Sequence, residues 1–408
     1  MNTPKRRLAV AGVISLALLA ACGSDAKTTT TTAAPATTEA AAATTVASGG
    51  TDTTAAPADT TAPAETTAPA DTTAPADTAA DTTDAPADLQ AELNASGSTF
   101  VQTFLEENIA PFTEANSGVT INYAGGGSGK GRQDLADQLV DFAGTDGTIK
   151  PEDLPGFKGG DVLYFPVAVA PITVSYNLDV EGLKLSPTTI AKIFQLEITN
   201  WNDPAIAAEN PDATLPDQAI TVVHRSDSSG TTGNFTKFLE NSVGADAGGI
   251  WKLGTGSTVE WDANTQAGEG NSGVAQIITS TPGAVGYVDL SDAIDAGLTY
   301  GVIENKAGKF IEATLDGASA AAAGATINDD LTFSAIWADG DDAYPITAQT
   351  WIIAYKQQTD AAKGDALKAF LNFILTEGQT IAPTVNYAPL PADLATKAIA
   401  QLDSFEIG

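Results

Sequence analysis

The chain has 408 residues, 43% of them hydrophobic, with 51 acidic side chains against 19 basic ones, one cysteine and one histidine. One cysteine excludes an internal disulfide framework, and one cysteine with one histidine falls short of the usual zinc ligand set. A formal charge of −32 argues against a nucleic-acid binder, which presents a basic face, so no nucleic-acid partner is expected.

Residues 1–21 read as a secretory signal peptide. Lys5, Arg6 and Arg7 form a cationic start, and Leu8 to Ala21 is an apolar run too short for a membrane span. The run ends Leu19-Ala20-Ala21-Cys22, which resembles the bacterial lipobox, where the cysteine is diacylated and becomes the mature N-terminus. The alternative is an ordinary signal peptide followed by an incidental cysteine. Export is expected, with Cys22 as the lipidation site tethering the chain to the outer, extracytoplasmic face of the cell membrane.

Residues 22–90 are built almost entirely from Thr, Ala, Pro and Asp, with a six-residue unit repeating from Thr60, Thr66 and Thr72. Only one branched aliphatic, Val46, and no aromatic residue falls between Gly23 and Asp88. Such a segment cannot bury enough surface to offset its ordering entropy, so an extended, disordered stalk is expected. Its reach lies between about 45 Å as a coil and about 200 Å in polyproline form.

Residues 91–408 hold all five Trp, eight Tyr and fourteen Phe, and from Leu89 onward there are 41 acidic and 15 basic side chains. This length exceeds a comfortable single core, which favours two lobes. Phe100, Phe104 and Leu105 have helical spacing. Val119 to Tyr123 alternates as a strand, and Leu135 and Leu139 point to a helix over 133–140. Val162 to Tyr176 is rich in Val, Ile and aromatics but broken by Pro166 and Pro171. Ile220 to Val223 reads as a strand, ahead of a helix carrying Phe235, Phe238 and Leu239. Trp351 to Tyr355 is a further strand. Leu367, Phe370, Leu371 and Ile374 define a helix, with Gly378 as its stop signal. Strands alternating with helices give an α/β class.

Three strand-to-helix transitions carry the chemistry: Ala95-Ser96-Gly97-Ser98-Thr99-Phe100, Gly125 to Gly131 with Ser128 and Lys130, and Arg225-Ser226-Asp227-Ser228-Ser229-Gly230-Thr231-Thr232. Each places Ser or Thr at or near a helix N-cap, among glycines that let backbone approach a ligand. Helix N-termini offer unpaired N–H groups and about half a positive charge. Converging, the three would form a donor-rich anion site; singly, each is an ordinary cap and turn. Other chemistries lack their residues. The Gly-rich loop has Gly131 where a Walker A motif needs Ser or Thr, and Ala124 where it needs Gly. His224 is the only histidine, and there is no Gly-x-Ser-x-Gly elbow. His224 reads as a surface or lobe-edge residue. Asp339-Gly340-Asp341-Asp342 lacks calcium-loop spacing and reads as a solvated loop.

At these residues the sequence resembles the phosphate-binding protein of the high-affinity phosphate ABC importer. The matching motifs, in order, are Gly97 to Phe100, Gly127-Ser128, Val140 to Asp146, and Arg225-x-Asp227-x-Ser229-Gly230-Thr231. Gly254 to Trp261, Pro282 to Val288 and Tyr344 to Thr347 follow. The resemblance implies an α/β, two-lobed periplasmic-binding-protein fold (type II), hinge-linked, with the ligand in the interlobe cleft. Lobe 1 would comprise about 91–171 and 345–408, and lobe 2 about 172–344. It implies an extracytoplasmic receptor, not an enzyme, that binds inorganic phosphate and delivers it to ABC permease subunits. A monomer without cofactor or metal is expected.

Carried over by position, Thr99 and Phe100 would supply backbone N–H groups, with the Thr99 hydroxyl added. Ser128 would supply its N–H and hydroxyl. Asp146 would accept the ligand's own proton, Arg225 would give a charge-assisted contact, and Ser229, Gly230 and Thr231 the remaining donors. Asp141 and Asp227 could each hold Arg225 or neighbouring donors in place. The sequence departs from the family pattern at Val101-Gln102-Thr103, at Gly129-Lys130-Gly131, and at His224, where a second arginine is common. Lys130 and Arg132 either line the cleft or face solvent. The rivals are a phosphoester hydrolase on the same cradle, and the same fold holding sulfate, molybdate or a phosphonate.

Overall fold

The computed structural model describes residues 89–408. The signal peptide, Cys22 and the repeat-bearing part of the stalk lie outside the described residues. The strands that position the site are β1 (Ala91–Gly97), β2 (Val119–Gly126), β3 (Phe142–Thr145), β4 (Val162–Tyr176), β5 (Thr221–Arg225), β6 (Gln266–Gly268), β7 (Ala284–Asp289) and β8 (Thr347–Tyr355). They form one sheet in the order β2-β1-β3-β8-β4-β7-β5-β6. Pairing is parallel within β2-β1-β3 and within β7-β5-β6, and antiparallel where β8 and β4 join the two sets.

β4 links the two halves. Residues 162–171 of it pair with β8 and residues 172–176 with β7, so the strand changes partner between Pro171 and Ile172. From Tyr164 onward it is buried along its whole length, which explains a near-continuous apolar run. The prolines expected to break it do not. Pro166 lies opposite Trp351, where the register of β8 shifts, and Pro171 lies opposite Thr347, where β8 begins. A residue without an N–H donor is tolerated at an irregularity or at the end of a ladder.

The helices around the site are α1 (Gln102–Ala115), α2 (Ser128–Ala136), α3 (Gly230–Val243), α4 (Gly270–Ser280), α5 (Leu290–Asp295) and α6 (Ala361–Leu375). Helix α2 is displaced from the expected 133–140. It starts at Ser128 and stops at Ala136; Gln138 has φ 58° and Leu139 is 68% exposed. Gly378 does not cap α6, which ends at Leu375; it opens the next short helical turn, Gly378–Ile381. A Cβ there would lie 2.2 Å from Asn108 Oδ1 on α1, so any other residue would have to displace that side chain.

Aromatic rings fill both halves. In one, Phe112 and Phe142 flank Phe370 at 5.1 and 6.0 Å. In the other, Phe235 of α3 stacks on Tyr287 of β7 at 4.4 Å and meets Phe194 at 4.7 Å. Burying a ring like that of Phe235 contributes about 1.5–3 kcal/mol, and it seats α3 with its N-terminus toward the sheet junction. Among the described residues, no helix is long and apolar enough to cross a membrane.

Candidate anion-binding site

Asp146 follows β3 directly and is 1% exposed. Its carboxylate accepts three hydroxyl groups: Ser98 Oγ at 2.6 and 2.7 Å, Thr350 Oγ1 at 2.7 Å and Ser128 Oγ at 3.0 Å. None of these partners is a cation. Burial pushes the Asp146 carboxyl above the usual carboxylate range, opposed by those hydroxyls and by the Arg225 charge. When ionised, a carboxylate dressed in this way has only acceptors to offer.

Arg225 ends β5 and is 4% exposed. Asp227 grips it in a fork, with Nε–Oδ1 2.8 Å and Nη2–Oδ2 2.5 Å. Nη1 donates to Asn271 Oδ1 at 2.7 Å and to Thr231 Oγ1 at 3.3 Å. This fixes the guanidinium plane, which a bidentate donor requires. Asp227 therefore fills the supporting role; Asp141 does not, since it pairs with Lys363 and accepts the Asn94 N–H.

The three loops open their helices differently. Ser229 is a side-chain N-cap of α3, accepting the Thr232 N–H at 3.1 Å. Helix α2 has Gly127 at its cap, with Ser128 as its first residue, and α1 has Val101; neither cap makes a side-chain hydrogen bond. The expectation of Ser or Thr at or near each cap holds at all three, and at Ser229 the hydroxyl itself makes the cap. Gly127 (φ 90°) lets the chain pass Asp227 Oδ2, from which a Cβ would lie 2.2 Å.

Of the eight sequence-derived candidates, Thr99, Ser128, Asp146 and Gly230 make contacts between the two halves. Ser128, Asp146 and Gly230 meet there: a Cβ on Gly230 would lie 2.3 Å from Ser128 Oγ and 2.4 Å from Asp146 Oδ2. Gly129 N–H donates across to Ser228 O at 2.8 Å, Asn234 Nδ2 to Asp146 O at 2.8 Å, and Asn271 N–H to Thr99 Oγ1 at 3.2 Å. Two candidates have other partners. The Phe100 N–H donates to Ser98 Oγ at 3.0 Å and its ring packs on Tyr387, while the Ser229 N–H donates to Ser257 O at 2.9 Å.

Sequence reasoning missed Ser98, Thr350, Asn234 and Asn271. Asn271 is fully buried and its Nδ2 has no partner. Gly268-x-Gly270-Asn271 is itself a strand-to-helix transition of the kind recognised elsewhere and was the available signal. Thr350 sits inside a strand and carried none. Lys130 pairs with Asp134 at the surface, whereas Arg132 Nη1 donates to Thr145 Oγ1 at 2.8 Å, beside Asp146. His224 is half-buried, stacked on Trp261 at 4.9 Å, and burial lowers its basicity. Asp339 and Asp341 pair with Lys306 and Lys309.

A family profile described as "PBP superfamily domain" matches residues 27–377. The phosphate-binding protein PstS of Xylella fastidiosa (strain Temecula1) is 34% identical over 325 residues, covering 77% of this chain and 86% of its own. That of Methanocaldococcus jannaschii is 36% identical over 332 residues, covering 74% and 83%. PstS 3 of Mycobacterium tuberculosis (strain H37Rv) is 34% identical over 316 residues, covering 75% and 84%. Among solved structures, a high-affinity periplasmic phosphate-binding protein bound with phosphate superposes with TM-score 0.65 at 19% identity, covering 78% of this chain and 96% of that one. The phosphate-binding protein of Stenotrophomonas maltophilia gives TM-score 0.62 at 19% identity, covering 76% and 94%. The α/β, two-lobed binding-protein fold is therefore the fold of this chain.

Proposed function

The chain belongs to the PstS family of phosphate-binding proteins, and on that premise we propose that it is an extracytoplasmic receptor that binds inorganic phosphate and delivers it to a membrane ABC permease. The family is a substrate-binding transport receptor, not an enzyme. The observation that carries the ligand assignment is Asp146, buried, without a contacting cation, and faced by donors on every side.

Monohydrogen phosphate has one proton to donate to Asp146 and acceptor oxygens for everything else. Thr99, Ser128, Arg225, Gly230 and Thr231 supply donors, joined by the Ser229 hydroxyl and, once it leaves Ser98 Oγ, by the Phe100 N–H. The first-turn N–H groups of α3 have no partner within the helix, and its dipole favours an anion there. The surface excess of acid matters little at this depth, because the Debye length at physiological salt is about 8 Å. Lobe 1 comprises 91–171 and 345–408 and lobe 2 comprises 172–344, hinged where β4 changes partner. Phosphate bridging Ser128 and Asp146 on one lobe to α3 on the other favours the closed form, which the permease subunits recognise.

The chain acts as a monomer tethered by lipid on Cys22, after removal of residues 1–21, with residues 22–90 as the stalk. Replacing Cys22 by Ser releases it from the membrane fraction; retention of the variant there would end the anchor proposal. The ligand is tested by calorimetry on protein freed of anion by unfolding and refolding. Tight one-to-one phosphate binding without sulfate heat is expected at pH 7.5, and equal binding of both anions would overturn the assignment.

A further inference from the structure

A cavity of about 790 Å³ opens beside the anion site and shares Asp146, Gly230 and Asn234 with it. Four of its lining side chains are cationic: Arg132, Lys150, Lys158 and Lys237. Of the fifteen basic residues in 89–408, eight are in ion pairs, and none of these four is among them. In a domain with 41 acids, unpaired bases gathered on one wall are a departure from the rest of the surface.

Depth sorts the charges further. Asp137, Glu152 and Asp153 also line the cavity, but all three are exposed, as are Lys150 and Lys158. Apart from Asp146, the two charges on this wall that are withdrawn from solvent are Arg132 and Lys237. Both are positive. Exposed charges are screened by salt and partly buried ones much less, so these two, set against the single buried Asp146, leave the inner wall net positive. They also come from opposite lobes, Arg132 from α2 and Lys237 from α3.

We infer that this cavity is the entry vestibule for the oxyanion, in which Arg132 and Lys237 draw a dianion inward past an acidic surface before Asp146 and the helix termini take it. The inference rests on the proposed phosphate function. Its chemistry is that of a funnel: low-dielectric walls of one effective sign focus the field and raise association rates by about 10- to 1,000-fold. A funnel acts on arrival and leaves departure alone, which separates it from a ligand contact.

The test is stopped-flow tryptophan fluorescence on the full chain, giving association and dissociation rates for inorganic phosphate at low and high ionic strength. Calorimetry on the same samples reports whether phosphate binds at all. Lys237→Gln, Arg132→Gln and the double variant are compared with Lys192→Gln and Lys397→Gln, which remove unpaired cations elsewhere. The double variant is expected to associate about tenfold more slowly at low salt, with dissociation unchanged and the difference collapsing at high salt. Lys237, which makes no side-chain hydrogen bond in the fold, keeps the test valid if Arg132→Gln misfolds. Association rates equal to those of the Lys192 and Lys397 variants would overturn the inference, as would an effect confined to dissociation. Absence of phosphate binding by the unaltered chain would instead overturn the function on which it rests.

Discussion

Gly230 stands so close to Asp146 that a methyl group on it would lie 2.4 Å from Oδ2, and 2.3 Å from Ser128 Oγ. Residue 230 opens the helix after β5 in one half of the sheet, while Ser128 and Asp146 follow β2 and β3 in the other, so in the proposed two-lobe division this contact closes the cleft. Gly230→Ala is expected to weaken phosphate binding at least 100-fold by blocking closure. The unliganded protein should keep its melting temperature, since alanine is favoured over glycine in helices by up to about 1 kcal/mol. Unchanged affinity by calorimetry would show that the lobes do not close onto Asp146.

Asp146→Asn tests the proton-acceptor role. Asparagine keeps the shape but offers N–H donors where the carboxylate offered only acceptors. A site built around one hydrogen bond rejects an analogue lacking it by about 10⁴–10⁵-fold. The variant should therefore admit sulfate, and its preference for phosphate should fall by several orders of magnitude. Competition of sulfate against labelled phosphate measures this directly; continued exclusion of sulfate would place the selectivity elsewhere.

What could be read from the sequence follows from how local each signal is. Val119 to Tyr123 and Trp351 to Tyr355 lie in strands, and Arg225 to Thr231 forms a strand end, cap and helix start, because each is determined by neighbours in the chain. The failures are cases where distant packing decides. Pro166 remains in a strand because β8 shifts its register opposite. Leu139 matches Leu135 in spacing, yet the helix has already ended and the side chain is in solvent. Gly378 resembles a stop signal but opens the next helical turn, packed against Asn108 on another helix. The site divides in the same way. Ser98 lies in a recognised loop, but Thr350, more than 200 residues from Asp146, reaches it only through the pairing of β8 with β3.

Asn271 holds Arg225 through Oδ1 and leaves a buried Nδ2 without a partner. A hydrogen bond to a charged group contributes about 1.5–3 kcal/mol, so Asn271→Ala is expected to weaken phosphate binding by roughly 10- to 100-fold. Stability should change less, because the substitution also removes an unsatisfied donor. The two effects are separated by calorimetry and thermal melting of the same samples. A large loss of melting temperature with unaltered affinity would make Asn271 a structural residue only.

Asp289 gives the protein a pH dependence. It is fully buried at the end of β7, caps α5 by accepting the Asp292 N–H at 3.0 Å, and receives Tyr387 Oη at 3.1 Å. Burial first, then repulsion from Asp292, holds its carboxyl well above the usual range; Asp292 is raised too, chiefly by burial. A carboxyl whose pKa is higher folded than unfolded binds more protons in the folded state between the two values. Stability from this group is therefore lost as pH rises through that window. Asparagine at 289 would cap the helix as well as aspartate does, and its amide N–H could donate to Tyr387 Oη, whose own proton is free for Phe100 O at 2.5 Å. Asp289→Asn should therefore melt at a higher temperature than the unaltered chain at pH 8, with the advantage vanishing below about pH 3, where the aspartate is protonated in both states. Melting curves across that range decide it: an advantage that does not grow with pH would mean that the Asp289 carboxyl is not raised by folding.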